Sequence, residues 1–327
     1  MTMPEGGGAG TAVADIAEID RLDVRVATTT SSRPKRFSRR VREAGLAYLL
    51  LLPSMVVFGV FIFYPFFKNF YLGLYRNPPF PNLPREYIGF EQFTDVLTSS
   101  DFYNSVKVTV LFALYTVPAG IALGLLLAVL AHQKLGGIGI YRTIFSSSVA
   151  TSVAVAAVIF GTLMNPQVGL LPWIGLDPQP PILQNPTWAL AAVSVTTIWQ
   201  NLGLSFILMS AGLQAIPDDL LEAAEVDGAG AWSRFRNVTL PLLSPTIFFA
   251  VIIGTIFAFQ SFGQIDLLTE GGPLDRTNVL TYFVFEELRE RNNPGTAAVL
   301  AIALFVITLL LTLVQLRFLE RKVTYAR

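Results

Sequence analysis

The chain has 327 residues, 53% of them hydrophobic and only 14% charged, with a mean hydropathy of +0.55. A charge density this far below that of soluble domains places it in a membrane. Its 23 basic and 23 acidic residues balance, so no polyanion affinity follows and nothing favours nucleic acid; with no cysteine, disulfides, thiolate metal sites and cysteine nucleophiles are excluded.

Residues 1–44 are rich in Gly, Ala and Thr and then turn basic at Arg33, Lys35, Arg36, Arg39, Arg40 and Arg42. Such a stretch cannot bury a core and reads as a disordered tail whose basic end stays cytoplasmic and touches anionic lipid. Six apolar segments follow, each about the ~20 residues that cross a bilayer: 45–67, 108–131, 143–164, 187–213, 242–262 and 296–316. The fold class is therefore all-α integral membrane with six transmembrane helices. Kinks are predicted near Pro53, Pro65 and Pro118. The one histidine, His132, lies just past the second segment and has no second histidine to join it at a metal.

Orientation follows from the basic residues. With both termini inside, sixteen of the 23 Lys and Arg fall on the cytoplasmic side, including Arg21, Arg25, Lys134, Arg142, Arg234 and Arg236, in keeping with the positive-inside rule. The external segment 68–107 is rich in proline and aromatic residues and predicts an ordered cap. The second long external loop, 266–294, carries Thr269-Glu270-Gly271-Gly272-Pro273 as a turn near the external mouth, then a helix-like piece at 286–291.

No charged residue falls in the middle of a predicted segment, which disfavours a proton relay or an ion-coupled secondary transporter. An intramembrane enzyme would need paired aspartates, a metal cluster or a serine with its base, and no such set is present. The polar residues that remain are neutral. Ser146, Ser147, Ser148, Thr151 and Ser152 suit helix packing, whereas the amides of Gln200, Asn201, Gln260 and Gln264, with Trp199, are costly in hydrocarbon and are candidates for a wet substrate path.

The most informative stretch is 214–241, a charged insert between the fourth and fifth segments. Pro217, Asp218 and Asp219 suit a helix start, Leu220, Leu221 and Ala224 give an apolar stripe, Gly228 permits the positive φ that ends the helix, and Trp232 with Phe235 share one face of a second short helix. Glu222 and Glu225 offer carboxylates to a basic partner. Glu222-Ala223-Ala224, Asp227-Gly228 and Val238-Thr239-Leu240-Pro241 resemble the EAA loop of the membrane subunits of bacterial ATP-binding-cassette importers, with Val238 where isoleucine is commoner. No phosphate-binding loop of the G-x-x-x-x-G-K-[ST] type occurs in the chain.

The resemblance implies the type I importer permease fold, with residues 45–316 as the permease domain and 317–327 as a cytoplasmic tail, in a bacterial inner membrane. It implies that Glu222, Ala223, Ala224, Asp227, Gly228, Leu240 and Pro241 couple to a separate ATPase homodimer that holds the ATP and magnesium, no cofactor being bound by this chain. Further implied partners are a second, homologous permease subunit and an extracytoplasmic binding protein. From about residue 44 the chain is most similar to the carbohydrate-uptake branch that includes maltose and glycerol-3-phosphate permeases. The ending Val314-Gln315-Leu316-Arg317 with Glu320, Lys322, Val323 and Tyr325 is similar to the glycerol-3-phosphate branch, which implies glycerol-3-phosphate or a glycerophosphodiester as cargo. A neutral sugar is the alternative.

Overall fold

The computed structural model describes residues 36–78, 84–133, 136–175 and 178–319. The expectations for residues 1–35 and 320–327, and for Lys134, lie outside these. The chain divides into two units, Met1–Ile62 and Phe63–Arg327.

The described part of the first unit is a helix, α1 (Arg36–Phe58), running into a π turn over Gly59–Phe63. The helix begins at Arg36 and not at Gly45, so residues 36–44 are not tail. Arg, Glu and Ala are strong helix formers, and the sequence reading weighed their charge above their propensity.

In the second unit α2 (Tyr64–Gly73) leads to a two-residue ladder of β1 (Tyr75–Arg76) and β2 (Glu86–Tyr87), and then to α3 (Glu91–Leu97). Among the described residues this ladder is the small exception to an all-α chain. The long helix α4 (Ser100–His132) starts eight residues before the predicted span, because Ser99 Oγ accepts the Phe102 N–H at 3.2 Å and caps it. It runs unbroken through Pro118.

The third predicted span is broken. α5 (Ile138–Ser146) and a 3₁₀ turn (Ser147–Ala150) meet α6 (Val153–Leu163) at 102°. The serines cause this locally: Ser146 and Ser147 hydroxyls donate back to the carbonyls of Thr143 and Ile144, and Ser152 Oγ caps α6 by accepting the Val155 N–H at 3.3 Å. After short turns at Leu170–Trp173 (α7) and Ile182–Gln184 comes α8 (Ala189–Gln214).

The charged insert holds α9 (Asp218–Val226), α10 (Ala231–Arg234), a π turn over Phe235–Thr239 and α11 (Leu240–Leu242). The fifth span, α12 (Ser244–Phe259), leaves this run at a 63° bend, so it starts at Ser244 and not at Leu242. Then follow α13 (Gly263–Leu268), α14 (Leu280–Phe285) with a π turn over Glu286–Glu290, and α15 (Pro294–Leu319). Among the described residues four helices are long and apolar enough to cross a membrane, or up to six spans if each bent pair counts as one.

The core sits where α4 and α8 press together, with Phe112 and Val193 fully buried in one cluster and Met209 and Leu243 in another. A third cluster packs α3, α14 and α15 around Leu280, Phe283, Val299 and Leu300. Glycine makes the α4–α8 approach possible: a Cβ on Gly124 would lie 2.6 Å from Ser205 Cβ and 2.9 Å from its backbone carbon.

Candidate functional site

Two regions carry the predicted site residues. The first is the charged insert. Pro217 stands at the N-cap of α9 in an extended conformation, and Asp218 and Asp219 fill the first turn, where they complement the helix dipole. Gly228 ends the helix with φ +80°. The Gly228 N–H donates to Glu225 O and the Ala229 N–H to Ala224 O, each at 3.0 Å, the pair of bonds that defines a Schellman motif. The reversal sends the chain into α10, where the rings of Trp232 and Phe235 stack 5.8 Å apart.

The insert has an inner and an outer side. Leu221 packs on the core cluster that holds Ile216, Met209 and Leu243. Glu222, Ala223 and Asp227 are exposed, and so are Leu220, Val226 (88%) and Trp232 (71%), far more apolar surface than a short polar loop needs. Ala224, Leu240 and Pro241 are half-buried. Glu225 is not free for a partner as expected. It pairs with Arg234 across the bend and ties α9 to α10; the residues are nine apart, a separation no helical spacing rule covers.

The second region lies among the broken helices. Gln200 and Gln264 come together: Gln264 Nε2 donates to Gln200 Oε1 at 2.5 Å, and Gln200 Nε2 donates to Thr151 O at 3.4 Å. Ser261 Oγ donates to Gln264 Oε1 at 3.3 Å. Trp199 packs on Phe160 with ring centroids 5.4 Å apart. Asn201 stands apart from these, donating to Thr197 O at 3.0 Å and lining a cavity of about 60 Å³ between α4, α8 and α12 with Thr116, Ser205 and Ile253. Gln260 is exposed at the end of α12.

Three participants escaped the sequence reading as site residues. Ser148 Oγ accepts the Gly203 N–H at 2.8 Å, Thr151 supplies its carbonyl to Gln200, and Ser261 extends the amide chain. Only Gly203 carried a usable signal, since an isolated glycine in a helix marks a close approach; a Cβ there would sit 2.8 Å from Ser146 O.

The Thr269–Pro273 turn is closed by hydroxyls. Thr269 and Thr277 Oγ1 atoms lie 2.7 Å apart, and Thr277 Oγ1 donates to Gly272 O at 2.7 Å. Glu270, Leu274 and Asp275 all take positive φ, and Asn104 Nδ2 holds Asp275 O at 3.0 Å. A cavity of about 420 Å³ opens beside the turn, with Asn165, Gln184, Thr269 and Glu270 in its wall. Arg291 pairs with Glu286 and Glu287 at 2.6 Å each. Burial, helped by the carboxylates of Glu290, Asp266, Glu270 and Glu286, pushes the Tyr282 phenol up to about 12, so it stays un-ionised beside them. Among the described residues no group of three or more His, Asp and Glu could hold a metal.

The bent insert is an exposed knob between the apolar helices α8 and α12. Residues 120–325 match the family described as "Binding-protein-dependent transport system inner membrane component". The chain belongs to that family. This permease is 36% identical over 285 residues to the sn-glycerol-3-phosphate transport system permease protein UgpA of Agrobacterium fabrum, covering 86% of this chain and 96% of that one. It is 35% identical over 283 residues to the trehalose/maltose transport system permease protein MalF of Thermococcus litoralis, covering 85% and 95%. The fold is shared with a chain of a bacterial ABC transporter that imports the acidic polysaccharide alginate, at a TM-score of 0.75, 24% identity and coverage of 88% and 99%. The permease is thus an inner-membrane component of binding-protein-dependent transport with the type I importer permease fold.

Proposed function

We propose that this permease is one of two transmembrane subunits of an importer for glycerol-3-phosphate or a glycerophosphodiester, handed over by an external binding protein and driven by a separate ATPase homodimer. The similarity to UgpA over 86% of the chain carries the cargo assignment. The exposed knob supports the coupling role of Glu222, Ala223, Ala224, Asp227 and Gly228, with Leu240 and Pro241 joining it to the fifth span: its apolar outer residues and the free carboxylate of Glu222 suit a cleft with a basic rim. ATP and magnesium then belong to the partner, and both termini are cytoplasmic, as the basic residues require. Trp199, Gln200, Asn201, Gln260 and Gln264 are the substrate-path residues of this reading.

A neutral sugar is the second reading. The similarity to MalF favours it, and so does the neutral character of those path residues, since phosphate recognition normally uses Arg, Lys or a helix N-terminus. Under the first reading the external protein supplies the phosphate specificity. Titrating the purified cognate binding protein with glycerol-3-phosphate, glycerophosphocholine, maltose and trehalose decides between them: tight binding of a phosphate is expected, and tight binding of a disaccharide alone sinks the cargo assignment.

Two further results are expected. In this cysteine-free chain, Gly228→Cys should react with a thiol reagent only from the cytoplasmic side, and labelling of intact cells from outside would overturn the orientation. Glu225→Arg should lower binding-protein-stimulated ATP hydrolysis by about two- to fivefold, the scale of a partly exposed ion pair, with the added Arg234→Glu restoring most of it. No recovery in the double variant would remove the α9–α10 tie from the coupling mechanism.

A further inference from the structure

Irregular backbone at membrane depth persists only where protein buries it or where it lines a wet cavity. Among the described residues, the second unit interrupts its helices at Thr151–Ser152, between the halves of the third span, and at Gln260–Phe262, between α12 and α13 at the end of the fifth apolar segment. They lie against each other. A Cβ on Gly263, the first residue of α13, would come within 2.6 Å of Cγ1 of Val153, the first residue of α6.

One side chain reaches both. Gln200, half-buried on α8, accepts from the Gln264 amide just beyond the second break and donates to the Thr151 carbonyl at the first. Gln264 is 5% exposed and Ser261, which donates to it, 8%, so this chain of bonds is shut off from solvent on the α13 side. α8 itself is an unbroken 26-residue helix packed along α4, a fixed post against which both breaks can be held. A second tie, from the Gly203 N–H to Ser148 Oγ, fastens the third span to the same post about one helical turn further along.

We propose that the Gln200–Gln264 amide pair is a latch that holds the two helix breaks together in the resting permease and keeps the ATPase idle until the loaded binding protein docks. Gln200 and Gln264 are positioning residues in this role, setting which conformation is populated. The latch rests on the importer reading above and adds to it the contact that opposes opening. An amide pair has the right chemistry for such a latch, because the bond is modest while it is made and either amide left buried without a partner is penalised. The closed arrangement is thus favoured only while both are present.

The test is ATP hydrolysis by the reconstituted complex of both permease subunits and the ATPase, with and without loaded binding protein. Gln200→Leu and Gln264→Leu are each expected to raise the binding-protein-independent rate by about three- to tenfold. The double variant should do no more than either single one, because both remove the same bond. Basal hydrolysis equal to wild type overturns the latch, and so do effects of the two substitutions that multiply. A residue that only contacts cargo would leave the basal rate alone and raise the concentration of loaded binding protein needed for half-maximal stimulation.

The milder Gln264→Asn, which keeps an amide but shortens its reach, should raise the basal rate in the same way. Thr151→Cys in the cysteine-free chain adds a second readout. A small water-soluble thiol reagent should modify it severalfold faster when Gln264→Leu is also present, and an unchanged rate overturns the proposal. If the wild-type complex itself is not stimulated by its loaded binding protein, the importer reading falls and the latch with it.

Discussion

Replacing Gly228 with valine is expected to cut binding-protein-stimulated ATP hydrolysis more than tenfold while the complex still assembles. The glycine holds φ +80° in open space, with nothing within 4 Å of where a Cβ would stand, so the effect comes through the backbone and not through a clash. A left-handed conformation costs an ordinary L residue about 1–2 kcal/mol, and a β-branched one more. The chain escapes that cost by giving up the two bonds of the Schellman motif and the reversal they fix. Val226 on one side of the bend and Trp232 on the other then point in new directions, and the Glu225–Arg234 pair loses its geometry. A misdirection of about 1.4 kcal/mol in docking is already a factor of ten. Gly228→Asn is the informative companion, since asparagine enters the left-handed region far more readily. It should retain most of the stimulation. Equal loss from asparagine and valine would mean that something other than the backbone angle is at stake, and normal coupling in the valine variant would remove the knob from the mechanism.

How legible the molecule was from its sequence depends on the range over which each feature is decided. The cap of α9 and the positive φ of Gly228 are settled within a few residues, by Pro217, Asp218, Asp219 and the glycine itself, and these were readable. The break at Thr151–Ser152 was not, because hydropathy averages over the window in which Ser146, Ser147 and Ser152 redirect their own backbone. The start of α1 at Arg36 was missed because charge and helix propensity give opposite signals over residues 36–44. Gln200 and Gln264 each stood out as costly amides, but their bond joins residues 64 apart and is decided by how α13 folds back on α8. The Glu225–Arg234 pair likewise depends on the angle of a bend that only the three-dimensional chain has.

The largest effect on stability is expected at Gly124. A Cβ at this position on α4 would stand 2.6 Å from Ser205 Cβ, 2.9 Å from the Ser205 backbone carbon and 3.1 Å from the Phe206 nitrogen. No side-chain rotation relieves these contacts, because Ser205 Cβ is placed by its backbone and the other two atoms are backbone, so α4 and α8 must move apart along their seam. Overpacking a well-filled interior costs about 1–3 kcal/mol where neighbours can adjust, and a leucine against rigid backbone lies at or above that range. Gly120, one turn earlier on the same face, provides the contrast: a Cβ there would meet only Ser205 Oγ at 4.0 Å, an ordinary contact. Gly124→Leu should therefore leave little monodisperse complex after detergent extraction and lower its apparent Tm by at least about 5 °C, while Gly120→Ala stays close to wild type. The separation would also reach function in whatever complex survives, because α8 carries Gln200 near its middle and leads through Ile216 into the knob. A Gly124→Leu complex with wild-type yield, melting and stimulated hydrolysis would show that α4 and α8 do not meet at this glycine in the membrane.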